Sequence, residues 1–170
     1  MKKKAIMIEN DLCYGCYTCY VACKQEHELG KGLSFINVVE IEHTEGDNKV
    51  RKEFAPMKCK HCGDAPCIEA CPVDAITKRS DGIVLIDNDI CIKCKNCIDA
   101  CPFGAIQFSE EIIQKCDNCI DRIDQGLEPA CVHHCPTDAL KFGHTDELVK
   151  SKLERAAEKL LNPKYLEVVE

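Results

Sequence analysis

Cys91, Cys94, Cys97 and Cys101 stand in the stretch CIKCKNCIDACPFGAI, with the spacing C-x2-C-x2-C-x3-C-P. Three thiols at intervals of three, carried on a tight loop, can turn inward onto three irons of an iron-sulfur cubane. The fourth lies one helical turn further on and points away, toward a second cubane. Pro102, which has no N–H and a fixed φ, stops the short helix and turns the chain outward. One such run cannot saturate a four-thiolate site by itself, so it implies partner runs elsewhere in the chain.

Three partner runs are present. Cys59, Cys62, Cys67 and Cys71 form C-x2-C-x4-C-x3-C-P, closed by Pro72. Cys13, Cys16, Cys19 and Cys23 repeat the unmodified spacing but are followed by Lys24. Cys116, Cys119, Cys131 and Cys135 form the widest variant, C-x2-C-x11-C-x3-C-P, closed by Pro136. All sixteen cysteines of the 170 residues fall into these four runs, so no thiol is left for another task. Three runs continue as CPVDAI, CPFGAI and CPTDAL.

Two plainer uses of so many cysteines are weaker. A disulfide scaffold needs an oxidising compartment. Lys2 to Lys4 are followed by only Ala5 to Ile8 before Glu9, too short an apolar run for a secretory leader. Zinc knuckles need pairs of ligands and have no use for a third cysteine at the same interval and a fourth before proline. The chain is therefore read as cytoplasmic, without insertion into a membrane, and with its thiols serving iron-sulfur sites. The formal charge is −7. Four oxidised sites add roughly −8, taking the loaded protein to about −15 and disfavouring nucleic acid as a partner. Trp is absent and aromatics are few, so folding should depend on the metal.

The elements that must position these runs are short. Lys4 to Ile8 reads as a strand. Tyr14, Tyr17 and Tyr20 interleave with the first run, either as plain packing or as rings that screen a site from water. His27 and Glu28 to Gly32 read as helix end and loop. Phe35 to Ile41 and Val50 to Met57 form a hairpin with a solvated tip at 43–49. Ala75 to Lys78 and Ile83 to Ile86 flank the turn signal RSDG, and a strand follows at Ala105 to Phe108. Ile120 to Gly126 suggests a helical turn. Thr145 is a plausible N-cap for a helix running to about Leu161, ended by Asn162 and Pro163. Leu148 or Val149, Leu153, Ala156, Ala157 and Leu160 would be its docking face, on the cluster domains or on another subunit. Lys58, Lys60, Lys93 and Lys95 read first as solvated charges, with steering of an acidic partner or raising of site potentials as the other reading. His133 and His134 have no vacancy to fill.

Run, hairpin, run and strand within residues 56–108 match a bacterial two-cluster ferredoxin. In that arrangement the inner runs exchange their fourth cysteines, so the outer runs must exchange theirs. One site then comes from Cys59, Cys62, Cys67 and Cys101, and a second from Cys71, Cys91, Cys94 and Cys97. The outer pair gives Cys13, Cys16, Cys19 and Cys135, then Cys23, Cys116, Cys119 and Cys131. The expected fold is α+β, two nested ferredoxin-like units with short hairpins and a C-terminal helix. The outer unit is 1–55 plus 109–144, the inner 56–108, and the helix and tail 145–170.

With the second run stretched and the fourth carrying a long insert, the pattern over about residues 3–145 closely resembles the four-cluster electron-transfer subunits of bacterial and archaeal oxidoreductases. These accompany molybdenum or tungsten pterin enzymes of the dimethyl sulfoxide reductase type, including formate dehydrogenases; similar subunits serve tungsten aldehyde oxidoreductases, hydrogenases and carbon monoxide dehydrogenases. The resemblance implies four [4Fe-4S] clusters, with the outer pair toward a catalytic subunit and the inner pair toward a second redox partner such as a ferredoxin, flavin or hydrogenase subunit. It also implies no catalytic site in this chain, in keeping with the want of any nucleophile-base pair, phosphate loop or flavin fingerprint. A freely diffusing polyferredoxin and a redox-sensing or assembly module are the rival readings.

Overall fold

Among the described residues the β-rich stretches pair two at a time into four antiparallel ribbons that do not merge into one sheet. The structure, a computed structural model, describes residues 3–45, 49–109 and 112–161. In chain order the elements are β1 (Lys4–Ile8), a 3-10 turn at Asn10–Leu12, α1 (Thr18–Glu26), β2 (Ile36–Glu45), β3 (Lys49–Lys58), α2 (Pro66–Glu69), β4 (Ile76–Lys78) and β5 (Val84–Ile86). There follow α3 (Asn96–Ala100), β6 (Ile106–Ser109), β7 (Ile112–Lys115), α4 (Ile120–Asp124), α5 (Ala130–His133), β8 (Leu140–His144) and α6 (Thr145–Leu161).

The β2–β3 hairpin forms where the β-branched runs stand, and its strands extend beyond them, to Glu45 and from Lys49. Residues 46–48 of its expected tip lie outside the described residues. β4 pairs with β5 about the RSDG turn. Gly82 takes φ 92° there, and Asp81, buried beneath it, accepts the Ile83 N–H at 3.3 Å. β6 finds a partner the sequence reading did not mark, β7, because IIQK lies close enough to close a second short hairpin. β1 pairs with β8 from Lys4 opposite His144 to Ile8 opposite Leu140, so the two ends of the ferredoxin-like region close on each other. Lys4 N–H also donates to Asp81 O at 2.9 Å, tying that closure to the inner hairpin.

Thiols are part of the core. One apolar group joins Cys19, Cys23, Cys59, Cys116 and Cys131 to Phe35, Ile36 and Leu140; another joins Cys97 to Ile76, Val84, Ile106 and Ile113. The C-terminal helix forms where expected. Thr145 is already its first residue, and its N–H and Oγ1 both donate to Lys3 O, at 3.0 and 3.2 Å, which moors the helix start to the N-terminal strand. The expected apolar face does not dock on this chain's own body, which leaves the other expected surface, another subunit. Leu148 packs over Gly143, while Val149, Leu153 and Leu160 are exposed. The turn carrying Arg155 and Lys159 faces the body instead, because Glu9 and Asp11 pair with them. The expected stop at Asn162 and Pro163 lies outside the described residues. No helix among the described residues is long and apolar enough to cross a membrane.

Candidate metal centres

Each cysteine run owes its shape to left-handed residues at fixed places. The residue before the second cysteine has positive φ in all four runs: Gly15 76°, His61 47°, Lys93 59° and Asn118 60°. Such a residue turns the backbone back on itself, so the two flanking thiols face the same space. The CP-x-x-A signature has a similar origin. Its fourth position is Asp74, Gly104 or Asp138, at φ 53°, 58° and 54°. The turn this creates aims the next N–H at the fourth thiol: Ala75 donates to Cys71 Sγ at 3.3 Å and Ala105 to Cys101 Sγ at 3.5 Å. The first run lacks its proline, and α1 therefore continues past Cys23 to Glu26. Lys24 uses the freed turn to donate to Gly30 O and Leu33 O, at 2.5 and 2.8 Å.

Cys13, Cys16, Cys19 and Cys135 line one small space, walled otherwise by side chains such as Tyr14, Tyr17, Val38 and Leu140. Cys71, Cys91, Cys94 and Cys97 line another, walled by Val73, Ile76, Ile86 and Ile113. Sets of four sulfurs around apolar pockets suit a cubane core: thiolates bind iron, and the apolar walls keep water off it.

The remaining eight thiols feel one another's charge, across the expected sets as well as within them. Burial pushes the Cys23 thiol up to about 12, and Cys116 adds to the rise. Burial also takes Cys119 to about 12, with Cys116 and Cys23 contributing, and holds Cys131 well above the usual thiol range with Cys116, Cys119 and Cys23 all adding. Burial raises Cys67, and Cys59 and Cys101 raise it further. Cys62 lies on the same loop as Cys59 and packs with Cys67 and Cys101 against one apolar core group.

The expected sets are neighbours in turn. Cys19 and Cys23 are one turn apart on α1, joining the Cys13 set to the Cys116 set. Cys116 feels Cys59, which joins the Cys116 set to the Cys59 set. Cys97, pushed up to about 11 by burial and then by Cys91 and Cys94, also feels Cys67, which joins the last pair. The two ends meet the surface, where Cys16 and Cys94 are exposed. Tyr14 and Tyr17 stand at the first end, 57% and 40% exposed, so they rim the space and are no part of the core.

Three neighbours of the thiols change the reading of their residues. His27, expected only as a helix end, brings Nε2 to 3.4 Å from Cys119 Sγ and 3.6 Å from Asp117 Oδ1. These three offer ligand atoms within 4.8 Å of one another, although Cys119 is expected in a four-thiol set. Nε2 faces two acceptors once that thiol is a thiolate, so it carries the proton and donates. Lys58 is not a solvated charge: it is 4% exposed, whereas Lys60, Lys93 and Lys95 are exposed as expected. Lys115, which the sequence reading passed over, is 6% exposed. His133 is exposed and rests edge-on against His134.

The family described as 4Fe-4S dicluster domain matches residues 50–145. Among curated relatives, a chain of the anaerobic dimethyl sulfoxide reductase of Escherichia coli (strain K12) is 40% identical over 159 residues, covering 88% of this chain and 78% of the relative. Thiosulfate reductase electron transfer subunit PhsB of Salmonella typhi is 40% identical over 139 residues, 79% of this chain and 72% of the relative. A subunit of the tetrathionate reductase of Salmonella typhimurium is 34% identical over 168 residues, 94% of this chain and 67% of the relative.

Proposed function

The protein belongs to the 4Fe-4S dicluster domain family and is an iron-sulfur electron-transfer subunit of the molybdoenzyme reductase type, and from that premise we propose that it holds four [4Fe-4S] clusters as a wire between a molybdenum or tungsten pterin subunit and a second redox partner. The ligand sets are those named from the sequence: Cys13, Cys16, Cys19 and Cys135; Cys23, Cys116, Cys119 and Cys131; Cys59, Cys62, Cys67 and Cys101; Cys71, Cys91, Cys94 and Cys97. What carries the reading is the row of four thiol sets reaching the surface at both ends.

Each bound cluster supplies a one-electron couple. The chain's residues hold each set of thiols around an apolar space, direct N–H donors at Cys71 and Cys101, and leave Cys16 and Cys94 near solvent at the two ends. Two nested units, 56–108 inside 1–55 plus 109–144, are the architecture that this ligation requires, and the β1–β8 closure supports it. The Cys13 end faces the catalytic subunit and the Cys91 end the second partner, a ferredoxin, flavin or hydrogenase subunit.

Three relatives of similar identity are named for three different substrates, which supports placing substrate choice in another polypeptide. Their names favour a reductase of sulfur compounds; formate dehydrogenase or aldehyde oxidoreductase rests on the general resemblance alone. The same names, as parts of reductases, favour a fixed complex over a freely diffusing polyferredoxin. A cytoplasmic place is part of the proposal. Native mass spectrometry of the complex from its host, with iron analysis, tests it: a large pterin-containing subunit in fixed ratio and about sixteen irons per chain are expected. A stable monomer without redox partner, or far less iron, overturns it.

A further inference from the structure

Lys58 and Lys115 occupy the same place in two different runs, directly before Cys59 and Cys116. The runs at the ends of the row have Leu12 and Ile90 in that place. Lysine thus precedes only the two runs that build the middle of the row. Both lysines are buried. Lys58 Nζ donates to Cys59 O at 2.9 Å and to Asn118 Oδ1 at 3.2 Å. Lys115 Nζ donates to Cys116 O at 2.8 Å and to Val84 O. Each lysine therefore reaches across: Lys58 to the loop of the Cys116 run, and Lys115 to Val84, whose N–H donates to His61 Nδ1 of the Cys59 run at 3.0 Å.

Among the described residues neither ammonium pairs with a carboxylate. Carbonyl and amide oxygens satisfy the N–H donors but leave two full charges buried, and a buried charge without a counter-charge is costly.

We propose that Lys58 and Lys115 are the built-in counter-charges of the two central clusters and hold their potentials above those the same thiolate sites would have alone. The inference rests on the four-cluster reading. A cubane with four thiolates carries about −2 when oxidised and about −3 after taking one electron from one neighbour, and it goes back to about −2 on passing that electron to the next. A fixed positive charge favours the more negative state, so it raises the potential. Placing both charges mid-row keeps the central sites reducible despite their burial and their negative neighbours.

The test is an EPR-monitored redox titration of the intact complex, with signals assigned through single cysteine-to-serine variants of each set. Lys58→Met and Lys115→Met should each lower the reduced-to-oxidised ratio of the two central clusters about tenfold at a given potential, a shift of about 59 mV for a one-electron couple. The two end clusters should stay where they are. Lys58→Arg and Lys115→Arg should restore the central potentials. Lys58→Gln and Lys115→Gln, which keep a donor for the carbonyls, give the same readout should the methionine variants lose iron. Unmoved central potentials with full iron content overturn the inference, as does an equal fall in the arginine variants, which would mark packing as the cause. Far fewer than about sixteen irons in the unaltered complex would instead remove the four-cluster reading itself.

Discussion

Gly15 lies directly beneath the ring of Phe54: a Cβ built on it would fall 2.4 Å from Cε1 and 2.8 Å from Cγ. The same glycine holds φ +76° between Cys13 and Cys16. Both facts bear on one set of thiols, since the left-handed turn aims the sulfurs and the ring closes over it. Gly15→Ala adds a left-handed penalty to an overlap that the ring can relieve only by moving its whole body. We expect a cost of about 2–4 kcal/mol. The loss should fall on the Cys13, Cys16, Cys19 and Cys135 site, read as about four fewer irons per molecule and a lower unfolding midpoint.

Crossed ligation makes a prediction that simple sequence proximity reverses. Cys101 follows Cys91, Cys94 and Cys97 in the sequence but is assigned to the cluster of Cys59, Cys62 and Cys67. Cys101→Ser should therefore alter or abolish the EPR signal of that cluster and leave the Cys91 cluster intact. Loss of the Cys91 signal would refute the pairing.

His27 should tune one cluster without binding it. Its Nε2 stands 3.4 Å from Cys119 Sγ, and hydrogen bonds to cluster sulfurs raise the reduction potential. His27→Phe removes the donor but keeps a ring against Phe35, now 5.2 Å from the imidazole centroid. The potential of the Cys119 cluster should fall in a redox titration while iron content stays whole; loss of iron would mark His27 as a ligand.

The C-terminal helix should loosen at one ion pair. Arg155 Nη2 donates to Glu9 Oε1 at 2.6 Å, and the Glu9 side chain is 8% exposed. Arg155→Met leaves that carboxylate without its partner, at a cost of about 1–3 kcal/mol. Hydrogen exchange across residues 145–161 should quicken, whereas Leu153→Ala, at an exposed position, should leave it unchanged.

Much of the site was legible because ligand spacing is local chemistry. The four runs, the CP-x-x-A turns and the hairpin about Arg79 to Gly82 depend on residues within a few places of one another, and each formed where its residues stand. The β6–β7 hairpin was missed because IIQK lacks alternation to mark it, and it is strand only by pairing with Ile106–Ser109. The helix was placed correctly, but the side that meets this chain was not: periodicity counts apolar residues and cannot see Glu9 and Asp11, which are far away in sequence and draw the basic side over.

The amino-acid sequence by itself determined the chemistry of this protein: how many thiols, in what runs, and hence which inorganic group they suit. Only tertiary structure decided which charges share a space with them. Lys58 looks like any lysine beside a ligand loop, and Lys115 drew no notice at all. Both became buried, carboxylate-free cations because two runs more than fifty residues apart fold face to face, Lys58 reaching Asn118 and Lys115 reaching Val84. Metal coordination acts through bonds and short spacings that a polypeptide carries locally, whereas a potential is set through space by whatever folding brings near.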